Sequence, residues 1–389
     1  MLHLLLNADL YTPESQGHRH VLVAADRIAW IGTDRPDLPA SVGVEVTDLE
    51  GRKVIPGLID GHVHITGGGG EAGHDTRVAP IAPSQFTRNG VTTVIGLLGT
   101  DDVVRTPAEV VVTALGLRAS GLSAWCYTGG YHLPPATVTG SVRGDLALVE
   151  CIVGVGELAI CDHRSSQPTL PELLRVAADA HVGGLMSGKA GVVHLHVGDG
   201  PRGLELIREA LAQGEVPAAV YHPTHVNRRR ALFDEALELT GEGVTVDVTA
   251  FPVSPDEDAW SATDSVLRYL DAGASPDRLT VSSDAGGCLP RFDDAGRVTG
   301  MGVGHPGTMS CTLAGITSRG VPLERALPPF TSNVARHLML ERKGRIAAGM
   351  DADLVVLDER MGAHAVMARG RWHVRDGKVV VKGALEGAA

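Results

Sequence analysis

Basic residues are in short supply in this 389-residue chain: 34 Lys and Arg stand against 46 Asp and Glu, a formal net charge of -12. That balance argues against nucleic acid or an anionic membrane as the main partner, so local arginines must serve a specific site. The start, "MLHLLLNADLYTP", lacks both a basic segment before its short apolar run and a small-residue cleavage pattern. Neither a signal peptide nor a membrane span is therefore expected, and the expected location is cytoplasmic. No Cys-x-x-Cys occurs. The five cysteines, Cys126, Cys151, Cys161, Cys288 and Cys311, are odd in number and widely spread, which suits reduced thiols better than a disulfide framework. Internal repeats, low-complexity tracts and long linkers are also lacking.

What is present is an ordinary globular composition, 43% hydrophobic and 21% charged, with enough chain for one large barrel or two domains. Between residues 54 and 284 eight short apolar or β-branched runs alternate with helix-like segments and Gly- and Pro-rich loops. They are "VIPGLIDGHVHI", "GVTTVIGLLGT", "GLSAWCYTGG", "CIVGVGELAIC", "GVVHLHVGD", "VPAAVYHPTHV", "GVTVDVTA" and "LTVSSDAGG". Eight such units close a (β/α)8 TIM barrel. The intervening helices are punctuated: Thr106 can cap, Pro107 fits the first helical position, Glu109 completes a capping box and Gly121 follows the end.

Residues 1–56 and 340–389 read differently, as short strands with tight turns such as Asp376-Gly377. Neither segment can bury a core alone. The expectation is a small β-sandwich formed by the N- and C-terminal segments beside a barrel over residues 57–339.

Polar residues fall where the runs end. His62 and His64 close the first, Glu157 lies late in the fourth, His196 ends the fifth, His225 the sixth and Asp284 the eighth. The carboxyl ends of barrel strands form the active-site face, so these residues are expected to converge. Imidazole and carboxylate ligands suit zinc, and two cations about 3.5–4 Å apart form a familiar hydrolytic arrangement. A single strand histidine is more often a packed core residue; it is the joint placement that argues for a site. His194 and His222 read as structural, supporting the ligands from behind.

"PGLIDGHVH", the later His, His and Asp, and "GRIAAGMDADLVVLD" together resemble the metal-dependent amidohydrolase superfamily. "GGGGEAG", "GLLGTD", "TGGYH", "VTGSV", "DHRSS", "PTHVNR" and "SSDAGG" look more closely like its isoaspartyl (β-aspartyl) dipeptidase branch, over residues 1–385. The resemblance implies zinc-dependent hydrolysis of β-aspartyl dipeptides, a metal-bound hydroxide attacking the amide carbonyl. It assigns one metal to His62, His64 and Asp284 and a second to His196 and His225, with Asp284 also passing the proton to the leaving amine. Glu71 matches the binder of the substrate ammonium, Arg164 and Arg228 the binders of its carboxylates, Tyr131 the group that stabilises the oxyanion, and Thr100 a further contact. It also implies a small dipeptide as partner and a symmetric homo-oligomer.

Two positions depart from the pattern. Where the family bridges its two metals with a carboxylated lysine this chain has Glu157, shorter by about three bonds, or on the order of 3–4 Å of reach. Either the fourth strand lies closer to the metals and Glu157 bridges two Zn2+, or the bridge is altered. Lys189 lies ahead of the fifth strand and reads as structural. Cys288 stands where the family has a serine near a substrate carboxylate, and a thiol is the poorer donor. The competing readings are an amidohydrolase for an N-acyl amino acid or a cyclic amide, and a non-catalytic barrel scaffold.

Overall fold

The eight runs form short parallel strands whose residues are buried on both faces, as β-branched sequence covered by helices requires. They are β1 (Leu58–Val63), β2 (Val91–Gly96), β3 (Ser123–Thr128), β4 (Ile152–Ile160), β5 (Val192–Val197), β6 (Tyr221–Thr224), β7 (Val246–Thr249) and β8 (Leu279–Ser282). This computed structural model describes residues 1–292 and 297–387. Strands β1 to β6 make one parallel sheet in chain order, and β7 and β8 make a second parallel pair. The arrangement is TIM-barrel-like, with its ladder bonds in two groups.

Both seams have a local cause. Between β8 and β1 the Asp60 carboxylate accepts the Ser283 N–H at 3.0 Å, standing where a main-chain carbonyl would. Just above it Val63 bridges to Ala285 in parallel, and the His64 N–H donates to the Ala285 carbonyl at 2.9 Å. At the other seam β6 carries Pro223, which has no N–H to give, and Val226 N–H reaches the Asp247 carbonyl at 3.4 Å.

Helices return the chain between strands. Pro107–Ala119 begins as its sequence dictates, with the Thr106 side chain accepting from the Glu109 N–H and Pro107 in the first turn. Glu205–Gln213 and Arg230–Gly241 bury Leu206, Ile207 and Ala210, and Leu232, Phe233 and Ala236, at the three- and four-residue spacing of an amphipathic helix. Among the described residues no helix is long and apolar enough to cross a membrane.

The terminal segments do pair with each other, and their ladder is continuous through one nine-stranded mixed sheet. The reason is the strand Lys53–Pro56, which runs parallel to Leu2–Tyr11 on one side and antiparallel to Leu354–Leu357 on the other, so the ladder is continuous. This sheet gathers Leu5, Leu10, Val23, Ile28, Leu354 and Met367 into an apolar cluster apart from the barrel's. Its last turn has Asp376 and Gly377 both at positive φ, 51° and 71°, the geometry an Asp-Gly hairpin adopts.

Candidate metal and substrate site

Strand alternation sends His62 and His64 to one side of β1, with ring centroids 5.5 Å apart. β5 supplies His196. His225 and Asp284 lie just past the ends of β6 and β8, both in the left-handed region with φ of 63° and 53°, backbone strain of the kind that gathers at functional sites.

Glu157 arrives by a different device. The pairing of β4 with β5 steps from Val155 opposite Val193 to Leu158 opposite Leu195, so Gly156 and Glu157 together face His194. This is a β-bulge, which re-aims a side chain. Gly156 is required there: its φ is 153°, and a Cβ would sit 2.5 Å from the His194 carbonyl oxygen. The bulge brings the Glu157 carboxylate within 3.6 Å of four imidazoles. Oε1 lies 3.4 Å from His64 Nε2, and Oε2 lies 3.6, 3.1 and 3.3 Å from His62 Nε2, His196 Nδ1 and His225 Nε2. Gly99 makes room above, where a Cβ would meet the His64 ring at 2.7 Å.

Two sets of three side chains are spaced to hold a cation: His62, His64 and Asp284, and His62, Glu157 and His225. His196 stands in neither set, its Nδ1 lying 2.8 Å from the Tyr131 hydroxyl and 3.1 Å from Glu157. The donor set fits a divalent metal. Among the described residues His62 Nε2 and Asp284 Oδ1 are buried atoms with no hydrogen-bond partner, yet they lie 3.4 Å apart with His64 Nε2 3.1 Å from the same oxygen. Imidazole nitrogens and a carboxylate oxygen buried together and converging on one point are costly unless protons or a cation join them.

Beside this cluster opens a cleft of about 830 Å³, lined by Glu71, Thr100, Tyr131, Arg164, Arg228 and Cys288 among others. The structure thus brings every candidate side chain read from the sequence to one place. Glu71 accepts from Thr100 Oγ1 at 3.1 Å and lies 3.6 Å from Arg164 Nη1. Burial pushes the Tyr131 hydroxyl well above its usual pKa, so it stays protonated and able to donate. Burial and then the neighbouring Glu71 carboxylate push the Cys288 thiol up to about 12.

A model of the amidohydrolase family matches residues 53–382. The chain belongs to the amidohydrolase family. Among solved structures it is similar to the β-aspartyl dipeptidase of Fervidobacterium islandicum AW-1 in complex with β-Asp-Leu, at 40% identity and a TM-score of 0.91 over 97% of this chain and 98% of that one. Other relatives are more distant: imidazolonepropionase of Ruegeria sp. strain TM1040, 25% identical over 394 residues and 92% of each chain, and allantoinase of Deinococcus radiodurans, 26% identical over 409 residues, 92% of this chain and 87% of that one. As a member of this metal-dependent family the protein is a hydrolase.

In this amidohydrolase two features escaped the sequence reading. Asp162 takes His196 Nε2 at 3.0 Å and Arg164 Nε and Nη2 at 3.0 and 2.8 Å, so one carboxylate orients a histidine and an arginine together. Burial opposes its charge, but the hydrogen bonds from His196 and Arg164 outweigh burial and hold the carboxyl far below the usual range. Its signal was legible, since Asp162 stands two residues before Arg164 in "DHR" and accepts the Arg164 N–H at 2.7 Å. Asp247 was the second, an acid inside "VTVDVTA" with no partner visible in the sequence. Lys189 is as far from the site as expected, donating to the carbonyls of Leu146 and Val149 at 2.7 and 2.6 Å.

Proposed function

We propose that this protein hydrolyses β-aspartyl (isoaspartyl) dipeptides, with Zn2+ as the cofactor and Glu157 bridging two ions. The observation that carries this reading is the charge placed against the cation-ready cluster: of the several acids and arginines that line the cleft, Arg164 and Arg228 each lie 3.4 Å from His196 Nε2, and Glu71 lies 3.6 Å from Arg164. A β-aspartyl dipeptide presents one ammonium and two carboxylates around its amide, the complement of that pattern. The similarity to a β-aspartyl dipeptidase holding β-Asp-Leu supports the same assignment.

His62, His64 and Asp284 would hold one ion, and Glu157, His196 and His225 the other. When bound, the ions supply Lewis acidity for the scissile carbonyl and for an attacking water. Every other task falls to side chains of the chain itself. Glu71 receives the substrate ammonium, Arg164 and Arg228 its carboxylates, and Thr100 steadies Glu71. Asp284 takes the proton of the attacking water and returns it to the leaving amine. The Tyr131 hydroxyl, kept protonated by burial, donates to the oxygen that gains charge. Cys288 takes the place of a hydroxyl donor at the edge of the carboxylate site. A closed barrel in a cytoplasmic homo-oligomer completes this reading.

The test is the hydrolysis of β-Asp-Leu by zinc-loaded protein, run beside α-Asp-Leu and a chelated sample. Cleavage of the β isomer alone, abolished by the chelator, is expected. Metal-loaded protein that leaves β-Asp-Leu intact and opens a cyclic amide overturns the assignment.

A further inference from the structure

Beneath the cation cluster a row of buried side chains leads away from His62, reaching past His194 and His222, which support the ligands from behind, to Thr280 and Asp247. His62 Nδ1 lies 2.8 Å from His194 Nε2, and His194 Nδ1 lies 2.9 Å from His222 Nδ1. His222 Nε2 lies 3.1 Å from Thr280 Oγ1, which in turn sits 2.6 Å from Asp247 Oδ1. All five residues are at most 1% exposed. The rings are held in place from the side: Tyr127 stacks on His194 at 4.9 Å with planes 10° apart, and the His337 ring lies 4.2 Å from that of His222.

Where two ring nitrogens face each other, one must carry the proton and the other the lone pair. With neutral rings the row therefore has two possible orders, one running toward Asp247 and one away from it. The far end decides between them. Asp247 is ringed by hydroxyls, with Thr224 and Ser282 at 2.7 and 2.5 Å from Oδ2 and Thr280 at 2.6 Å from Oδ1. Burial raises the Asp247 carboxyl, and the hydrogen bonds from Ser282, Thr280 and Thr224 work against that and favour the ionised form. Three hydroxyl donors and no facing acceptor suit a carboxylate that only accepts, and a hydrogen bond to it is the stronger claim on a hydroxyl proton. Thr280 has one proton, and Asp247 takes it. Thr280 Oγ1 then accepts from His222 Nε2–H. His222 Nδ1 accepts from His194 Nδ1–H, and His194 Nε2 accepts from His62 Nδ1–H. His62 is left with its lone pair on Nε2, the atom that has no hydrogen-bond partner among the described residues and lies 3.4 Å from Asp284 Oδ1.

We propose that Asp247, Thr280, His222 and His194 are positioning residues: they form a one-directional hydrogen-bond chain that presets His62 in the tautomer able to ligate a cation through Nε2. The inference rests on the metal-site reading above and deepens it. It also gives β7 a task, since Asp247 is that strand's contribution to the chemistry although it lies a layer below the ligands. The reverse order would put the proton on His62 Nε2, where it would have to be expelled before a metal could bind.

The test uses the full-length chain and reads metal, not hydrolysis. Zn2+ affinity is measured by competition with a chromophoric chelator for wild type, Asp247→Asn, Thr280→Val and Thr280→Ser. Asn at 247 can donate to Thr280 and so reverse the chain, and Val at 280 interrupts it without changing shape. Both should weaken Zn2+ binding by roughly 10- to 100-fold, the range for groups that orient a ligand from behind. Ser at 280 should restore wild-type affinity, which a packing role for the Thr280 methyl would not allow. The ring 15N spectrum of metal-stripped wild type should show the His62 proton on Nδ1. A His62 proton on Nε2, or unchanged affinity in folded Asp247→Asn and Thr280→Val, overturns the inference. If Asp247→Asn does not fold, the Thr280 pair and the wild-type spectrum decide. Failure of the dipeptidase reading would appear only in the hydrolysis assay, and failure of the metal site as wild type that takes up no Zn2+.

Discussion

Two clusters of buried charge lie at opposite ends of the barrel strands, and they are built in opposite ways. At the amino end Lys343 Nζ meets Asp351 Oδ2 and Asp353 Oδ2 at 2.6 Å each and the hydroxyl of Ser123, the first residue of β3, at 2.5 Å. The three protons of the ammonium have three acceptors. Asp353 Oδ1 in turn accepts the Arg369 N–H at 2.8 Å. At the carboxyl end the histidines, Glu157 and Asp284 are as deeply buried, but His62 Nε2 and Asp284 Oδ1 have no partner among the described residues. A saturated cluster ties elements together, here the barrel to the terminal sheet. A cluster short of positive charge, with acceptors aimed at one point, is poised for a ligand.

The contrast can be broken from either side. The largest effect is expected from Asp284→Asn, which should lower kcat by about 10²- to 10⁴-fold while the melting temperature barely moves; near-normal turnover would remove Asp284 from proton transfer. Lys343→Met should do the reverse, costing about 3–5 kcal/mol of stability in urea unfolding, because Asp353 is left buried without a counter-charge while Asp351 keeps only Arg27 and Arg342 on its other oxygen. Turnover of the folded fraction should stay at the wild-type level, and a stable variant would mean that the cluster is not a tie.

Glu157→Ala should reduce the zinc found by elemental analysis; intact stoichiometry together with intact activity would show that another ligand bridges. Arg164→Lys gives up the fork held by Asp162 and should raise KM for β-Asp-Leu by roughly tenfold, the scale of one charge-assisted hydrogen bond. An unchanged KM would detach Arg164 from the substrate. The smallest effect is expected from Cys288→Ser, below about 1 kcal/mol in kcat/KM and toward tighter binding, since a hydroxyl donates better than a thiol.

Much of this was legible in the chain because it depends on local rules. Run lengths, Gly and Pro punctuation and the Thr106 cap placed strands and helices, and the ends of the runs marked the face on which histidines and acids would meet. Asp162 was partly legible through its short loop with Arg164. The continuous terminal sheet was not, because it depends on which partner Lys53–Pro56 chooses on each side. Asp247 was not legible either, since its meaning comes from Thr224, Thr280 and Ser282 on neighbouring strands.

By itself the sequence determined the α/β alternation and the placing of histidines and acids at the ends of the apolar runs, because residue chemistry and strand period are properties of the local chain. Only the tertiary structure decided where the Glu157 carboxylate lies relative to the histidines. That answer lies in the register between β4 and β5, where two residues face His194 and turn Glu157 inward. Register is a relation between strands, and the direction of the proton chain under His62 is a relation among five of them; neither is written in any one stretch of sequence.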